Sequence, residues 1–479
     1  MTGLQSVESA PLFAQSNSSF NGVFALDTLP NSTAARDVAY YLHPATNARR
    51  HESVGPMVIE RGEGIYVFDD QGKEYIEGLA GLWSVAVGFG EERLVQAAAT
   101  QMRKLPFYHS FSHKSHEPAV ALAERLVKMA PGKMSKAHFT SSGSEANDLA
   151  IKLIWYYNNA LGRPLKKKII GRMRGYHGVT IASASLTGLP NFHREFDLPL
   201  SMMRHITCPH HWREGRPGES EEDFSTRLAS ELEDLILREG PETFAALFGE
   251  PLMGAGGVIP PPRNYWHKIQ AVCRRHDILV VADEVITGFG RTGKLWGSQT
   301  YGITPDILIV SKALTSSYFP LSSMLISDAV YQAIADNSAK IGVFAHGFTA
   351  SGHPVGCAVA LENLNIIEEH GLVANAAALS PHFLERLHAF AGHKLIGEAR
   401  GAGLIGALEF VADKATKTPF VQPGMTGLKL AELAHDEGLI IRAIGDIIAF
   451  CPPLVITHKQ IDEMFDRFAR ALARLPEGV

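Results

Sequence analysis

Cysteine is scarce in this chain: four in 479 residues, Cys208, Cys273, Cys357 and Cys451, with no C-x-x-C pair among them. Such scatter excludes a disulfide framework or a cysteine zinc site, and the thiols are expected to be reduced and mostly buried. Long apolar runs are missing too. The greasiest stretches, such as "ILVVADEVI", are broken by acids within one strand length, so no membrane span is expected. Positive charge is not in excess either. Forty-five Lys+Arg against 50 Asp+Glu leave a formal net charge of -5, which offers nucleic acid no basic surface to grip. The opening stretch "MTGLQSVESAPLFAQSNSSFNGVFALDTLP" has no Lys or Arg and no continuous apolar core, so secretory and transit peptides are not expected and the cytoplasm is the default location. There is no internal repeat and no GxxxxGKS/T loop, which removes the usual cradle for nucleotide phosphates.

What is present is 46% hydrophobic and 20% charged residues, the profile of a globular protein with a substantial core and one or two domains. The Ser/Asn-rich opening reads as loose, with order expected from a helix after Asn31 and Ser32. "GPMVIERGEGIYVFDDQGKEYIEGLAG" alternates around an Asp-Asp-Gln-Gly turn, as a hairpin does. Beyond Glu91 the pattern changes. "ERLVQAAATQMRKL" and "EPAVALAERLVKMA" have helical spacing, whereas "KKIIGR", "FAALFGE", "ILVVADEV" and "ILIVSKAL" read as strands buried on both faces. Helices alternating with such strands predict an α/β fold with a mostly parallel sheet. A long helix is expected from about Cys357, followed by a second region with strands near "LIGALEF" and "LIIRAIG". "REGRPGESEEDF" reads as a solvated loop.

In open parallel sheets ligands gather at the carboxyl ends of the strands. The residues just past the apolar runs are Ser142, Gly143 and Ser144, then Glu250, Asp283 and Lys312. Asp283 and Lys312 each place an ionisable group at the end of a buried strand, which costs several kcal/mol, ~3–5, unless it is paired or liganded. A structural Asp–Lys ion pair fits these two positions equally well. The loop "SSGSEAND" tips the reading, because small residues ahead of a helix can seat a phosphate on free N–H groups. A buried lysine can condense with an aldehyde, and a carboxylate can hold a pyridine nitrogen protonated. Phosphate, aldehyde and pyridine together describe pyridoxal 5'-phosphate (PLP). In "RGYHG" Tyr176 can stack on a flat ring and His177 can assist, while a metal role for His177, or for the adjacent His210 and His211, is not supported by spacing. "HGFTASGHP" is a second small-residue loop, in which Thr349 can donate to a phosphate.

With these motifs assembled, and with "GLAGLWSVAVGFG", "GEPLMGAGGVIPPP", "VVADEVITGFGRTG", "SKALTSS" and "IIRAIGDIIAFCPPL" in that order, the chain resembles the class III (ω-amino acid) aminotransferases of PLP fold type I over roughly residues 40 to 470. "WYYNNALGRPLKKK", "SASLTGLPNFH" and "EGPETFAALFGEP" are similar to the pyruvate-dependent ω-transaminases and GABA transaminases. The resemblance implies a large PLP-binding domain over 85–355, a smaller α+β domain over 356–479, and a segment 1–84 that joins the smaller domain. It implies that Lys312 bonds the cofactor and then moves protons, that Asp283 holds the pyridine nitrogen, and that Val285 and Tyr176 sandwich the ring. Ser142, Gly143 and Ser144 would hold phosphate, with Glu250 and His177 nearby and with Phe348 and Thr349 supplied by a partner subunit. Trp83, the partner's Phe111 and a mobile Arg442 would line the substrate pocket. A homodimer or a tetramer follows, acting on an amine or ω-amino acid and a keto acid, expected to be pyruvate. Ser141, Ala313 and Ala350 depart from residues common in the family, which bears on substrate profile more than on chemistry. A decarboxylase or aminomutase on the same fold, or a non-catalytic binding module, are the rival readings.

Overall fold

Seven short strands form the central sheet of the computed structural model, which describes residues 31–476; the expected loose opening lies outside that range. Their order across the sheet is Met134–Thr140, Ser322–Ser327, Ile307–Val310, Leu279–Asp283, Phe244–Gly249, Lys168–Arg172 and Met203–Ile206. Five adjacent strands, from Ile307–Val310 to Met203–Ile206, pair in parallel; Ser322–Ser327 runs antiparallel to both of its neighbours. Every residue of Phe244–Gly249 and Ile307–Val310 is buried, as strands covered on both faces by helices must be.

The helices that cover the sheet start where side chains can satisfy their free N–H groups. Ser142 and Glu145 form a reciprocal capping box on Gly143–Ala160, and His116 caps Glu117–Met129, which carries Pro118 in its first turn. The long helix expected from Cys357 runs Pro354–Glu369. Among the described residues no helix is long and apolar enough to cross a membrane.

Two four-stranded sheets complete the fold. One is built from Ile59–Glu63, Tyr66–Asp69 and Glu74–Glu77, the hairpin expected around Asp-Asp-Gln-Gly with one more strand, and is closed by Leu439–Ile440 in parallel with Glu74–Glu77. The other comprises Ile396–Ala402, Ile405–Phe410, Ile447–Phe450 and Arg442–Ile444. "LIIRAIG", expected as one strand, is therefore two. The chain leaves the first sheet at Ile441 and enters the second at Arg442, where Gly445 (φ 60°) turns it back along Ile447–Phe450. Periodicity alone cannot detect such a change of partner, because both pieces are apolar.

Candidate active site

The parallel strands end on one edge of the central sheet, and that edge gathers the residues picked out above. Asp283, only 3% exposed, closes Leu279–Asp283. Its Oδ1 accepts from Val285 N–H at 3.1 Å; Oδ2 accepts from Asn147 Nδ2 at 2.9 Å and lies 2.8 Å from His177 Nδ1. Asn147 also donates to the His177 carbonyl at 2.9 Å, so three groups fix one carboxylate in a single orientation. The rival Asp283–Lys312 ion pair does not form: among the described residues the carboxylate is paired with His177.

Lys312 follows Ile307–Val310 with its backbone in the left-handed region (φ 46°), a conformation that costs a non-glycine residue about 1–3 kcal/mol. Its side chain keeps an opening to solvent, yet the dense surroundings push the amine down to about 8. Desolvation is the main cause. Asp283 and Glu250 oppose it, and the positive charge of Arg442 adds to it. Arg442, on the edge strand Arg442–Ile444, is itself lowered by burial and interacts with Tyr176. The Tyr176 phenol is raised, chiefly by burial, and its ring packs edge-on to Phe192 at 5.5 Å. The buried Glu250 holds the loops on either side: its Oε1 accepts from Tyr176 N–H at 3.0 Å and its Oε2 from Gly254 N–H at 2.8 Å. Burial pushes that carboxyl up.

The start of helix Gly143–Ala160 faces this cluster. A Cβ on Gly143 would lie 3.2 Å from Val285 Cγ2 and 3.8 Å from Ser311 Cβ, so the backbone there comes against Val285 and the residue before Lys312. Glu145 Oε2 takes the N–H groups of Ser141 (2.7 Å) and Ser142 (3.1 Å), and Ser142 Oγ accepts from Glu145 N–H at 3.2 Å. Ser144 Oγ accepts from Val179 N–H at 3.2 Å. Both hydroxyls thus act as acceptors toward the protein, which leaves their protons for an anion beside the positive end of the helix.

Trp83, 2% exposed, packs with Leu252, Val258, Ile286 and Ile447 in a small core. It ends a turn in which Ala80 (φ 51°), Gly81 (φ 66°) and Trp83 (φ 64°) all have left-handed backbone. Phe111 and Thr349 are exposed, and they belong to one surface: a Cβ on Gly347 would meet the Phe111 ring at 2.8 Å. Phe348 is partly buried, with its ring 5.0 Å from that of His346.

Asn147 escaped the sequence reading, although it lies three residues after Ser144 and so on the same helix face. Thr187 escaped it too: its Oγ1 accepts from His177 N–H at 2.9 Å and donates to the Gly178 carbonyl at 3.2 Å. His210 and His211 go to different partners, Glu398 (2.7 Å) and the Glu219 carbonyl (2.7 Å). Glu398 and its neighbour Glu409 are both bound by Arg400, which makes that cluster an ion-pair network.

A phosphate seat, a fixed buried carboxylate and a softened lysine amine, all on one edge, suit a phosphorylated pyridine aldehyde. Known proteins agree. The family model described as aminotransferase class-III matches residues 46–472. A probable gamma-aminobutyrate transaminase 2, mitochondrial, of Oryza sativa subsp. indica is 51% identical over 440 residues, covering 91% of this chain and 88% of the relative. Gamma aminobutyrate transaminase 1, mitochondrial, of Solanum lycopersicum is 51% identical over 439 residues, or 91% and 85% of the two chains. The crystal structure of an omega transaminase from Pseudomonas jessenii in complex with PMP superposes with a TM-score of 0.91 at 58% identity, covering 92% of this chain and 98% of that one. This chain therefore belongs to the class-III aminotransferases, PLP-dependent enzymes of fold type I that move an amino group between an amine and a keto acid.

Proposed function

We propose that the chain is an ω-aminotransferase that takes the amino group of an amine or ω-amino acid and delivers it to a keto acid, with pyruvate as the expected acceptor. The observation that carries this reading is the coupling of Lys312, its amine near 8, to Asp283, Glu250 and Arg442, and of Arg442 to Tyr176, at the strand ends. PLP, when bound, supplies the sink for the electrons left behind as the donor carbon loses its proton. In this reading Asp283, held by Asn147 and His177, keeps the pyridine nitrogen protonated, and Val285 and Tyr176 flank the ring. Gly143 and Ser144 present N–H groups to the phosphate, with the Ser142 and Ser144 hydroxyls donating beside them. Lys312 Nζ would hold the cofactor and, as a free amine, would move the proton at the donor carbon.

Arg442 lies on an edge strand, where a long guanidinium stem can meet a substrate carboxylate in a bidentate pair and withdraw for a plain amine. That property supports a donor range extending from ω-amino acids to amines. The names of the plant relatives support γ-aminobutyrate as one member of it. The exposed surface shared by Phe111 and Thr349 supports a homodimer in which each protomer completes the other's site. We further propose a large domain over 85–355, a smaller domain over 356–479 joined by segment 1–84, and a cytoplasmic location, to be tested by cell fractionation.

One titration tests the central reading. The visible absorbance of the PLP-loaded protein is followed as a panel of amines and ω-amino acids is added, then pyruvate or 2-oxoglutarate. The expected result is loss of the lysine-linked band with an amine and its return with pyruvate. Release of carbon dioxide without any keto acid requirement would instead establish a decarboxylase.

A further inference from the structure

Glu77, 6% exposed, ends the strand Glu74–Glu77, and no lysine, arginine or histidine among the described residues pairs with its carboxyl. Its Oε1 accepts from Leu79 N–H at 2.9 Å, and the Gly81 N–H also faces the carboxyl. Burial pushes the group up to about 8, so at neutral pH it is chiefly the uncharged acid. Both amides belong to the turn that carries Trp83. The base of that turn is already fixed: Gly78 N–H donates to the Ile440 carbonyl at 2.9 Å and Cys451 N–H donates to the Gly78 carbonyl at 2.7 Å. Beyond residue 78 the turn closes on itself, with Trp83 N–H donating to the Leu79 carbonyl at 2.9 Å and Ser84 N–H to the Ala80 carbonyl at 2.9 Å. The tip has left-handed backbone at Ala80, Gly81 and Trp83, a conformation that persists only when its surroundings impose it. Two side chains bind the turn itself: Glu77 accepts from the Leu79 amide at its start, and Ser84 Oγ donates to the Ala80 carbonyl at 3.4 Å.

We propose that Glu77 is a positioning residue for donor selection: by holding the Leu79 amide, with the Gly81 N–H facing the same carboxyl, it fixes the pose of Trp83, and with it the size of amine that the pocket admits. This inference rests on the proposed role of Trp83 as a wall of the substrate pocket. The carboxyl touches neither substrate nor cofactor; it acts through the indole.

The test is a double-mutant cycle on the PLP-loaded dimer with pyruvate as acceptor, reading the ratio of kcat/KM for a benzylic amine to that for β-alanine. Glu77→Gln keeps an acceptor for the two amides and should leave the ratio within about twofold of the parent. Glu77→Met keeps the volume and loses the acceptor. It should move the ratio about tenfold, the scale of one displaced pocket contact, mainly through KM and with the lysine-linked absorbance unchanged. In a Trp83→Ala background the Glu77→Met shift should vanish, because the two act as a unit. Hydrogen exchange at the Leu79 and Gly81 amides should quicken in Glu77→Met and not in Glu77→Gln. If Glu77→Met does not fold, Glu77→Ala takes its place in the cycle.

An unmoved ratio in Glu77→Met, an equal shift in Glu77→Gln, or a shift that persists without Trp83 overturns the inference and leaves the pocket reading standing. A ratio indifferent to Trp83→Ala overturns both.

Discussion

An amine held near 8 is about one-tenth neutral at pH 7 and wholly available above pH ~9, whereas an ordinary lysine is still charged there. Lys312 owes this to its surroundings, and the sign follows. Folding lowers its affinity for a proton, so the neutral form that attacks an aldehyde gains about tenfold per pH unit up to 8 and then saturates. The apo-protein's rate of capturing PLP should trace that curve in stopped-flow absorbance. A plateau reached only above pH 10 would return Lys312 to an ordinary lysine, and Lys312→Ala should give no lysine-linked band at all. Asn147 and His177 act one step away, by leaving Asp283 no freedom to turn. Replacing Asn147 by Leu removes one of two side-chain partners of a buried carboxylate, about 1–3 kcal/mol of orientation and solvation. Cofactor affinity should fall ~10–100-fold in a PLP titration, while Lys312 still attaches what binds.

Turns, more than strands, decide how the site is assembled. Gly178 has φ 133°, and a Cβ there would stand 2.5 Å from Ser183 Oγ, 2.6 Å from Ser144 Oγ and 2.7 Å from Ser144 Cα. Gly178→Ala therefore forces the helix Gly143–Ala160 away from the loop that carries Tyr176 and His177. It should cost about 2–4 kcal/mol, lowering Tm and cofactor affinity together. Gly162→Ala is the control: its φ of 71° is also left-handed, but the space beside it is open, so Tm should fall slightly with cofactor affinity unchanged.

The strand ends were legible because a strand buried on both faces is an unbroken apolar run, and a charge at its end stands out, as Asp283 and Lys312 do. The partners that orient them were not. Asn147, Thr187 and Glu77 are single polar residues in ordinary contexts, and what distinguishes them is proximity created by tertiary folding. The capping role of Ser142 was hidden for a different reason: one hydroxyl can serve the helix and an anion at once, and the sequence pattern is the same for both.

At the scale of the whole molecule, the proposed sharing of the site between protomers makes a prediction that no single chain can. Lys312→Ala and Phe348→Ala/Thr349→Ala should each be poorly active at limiting PLP. Co-assembled, they should recover up to about a quarter of parental activity, since half the dimers are mixed and one site in each has every part. Recovery no greater than the sum of the two alone would refute the shared site. The crossing at Ile441 ties the chain's two ends together in another way. The hairpin of Glu74–Glu77 is closed by Leu439–Ile440, so during synthesis its edge waits for roughly 360 further residues, on the order of 20–70 s of translation. For all that time an unpaired strand edge is available to other chains, and Arg442, two residues beyond its closing partner, has no mount. The proposed selectivity of the pocket is in this sense acquired late by the growing chain.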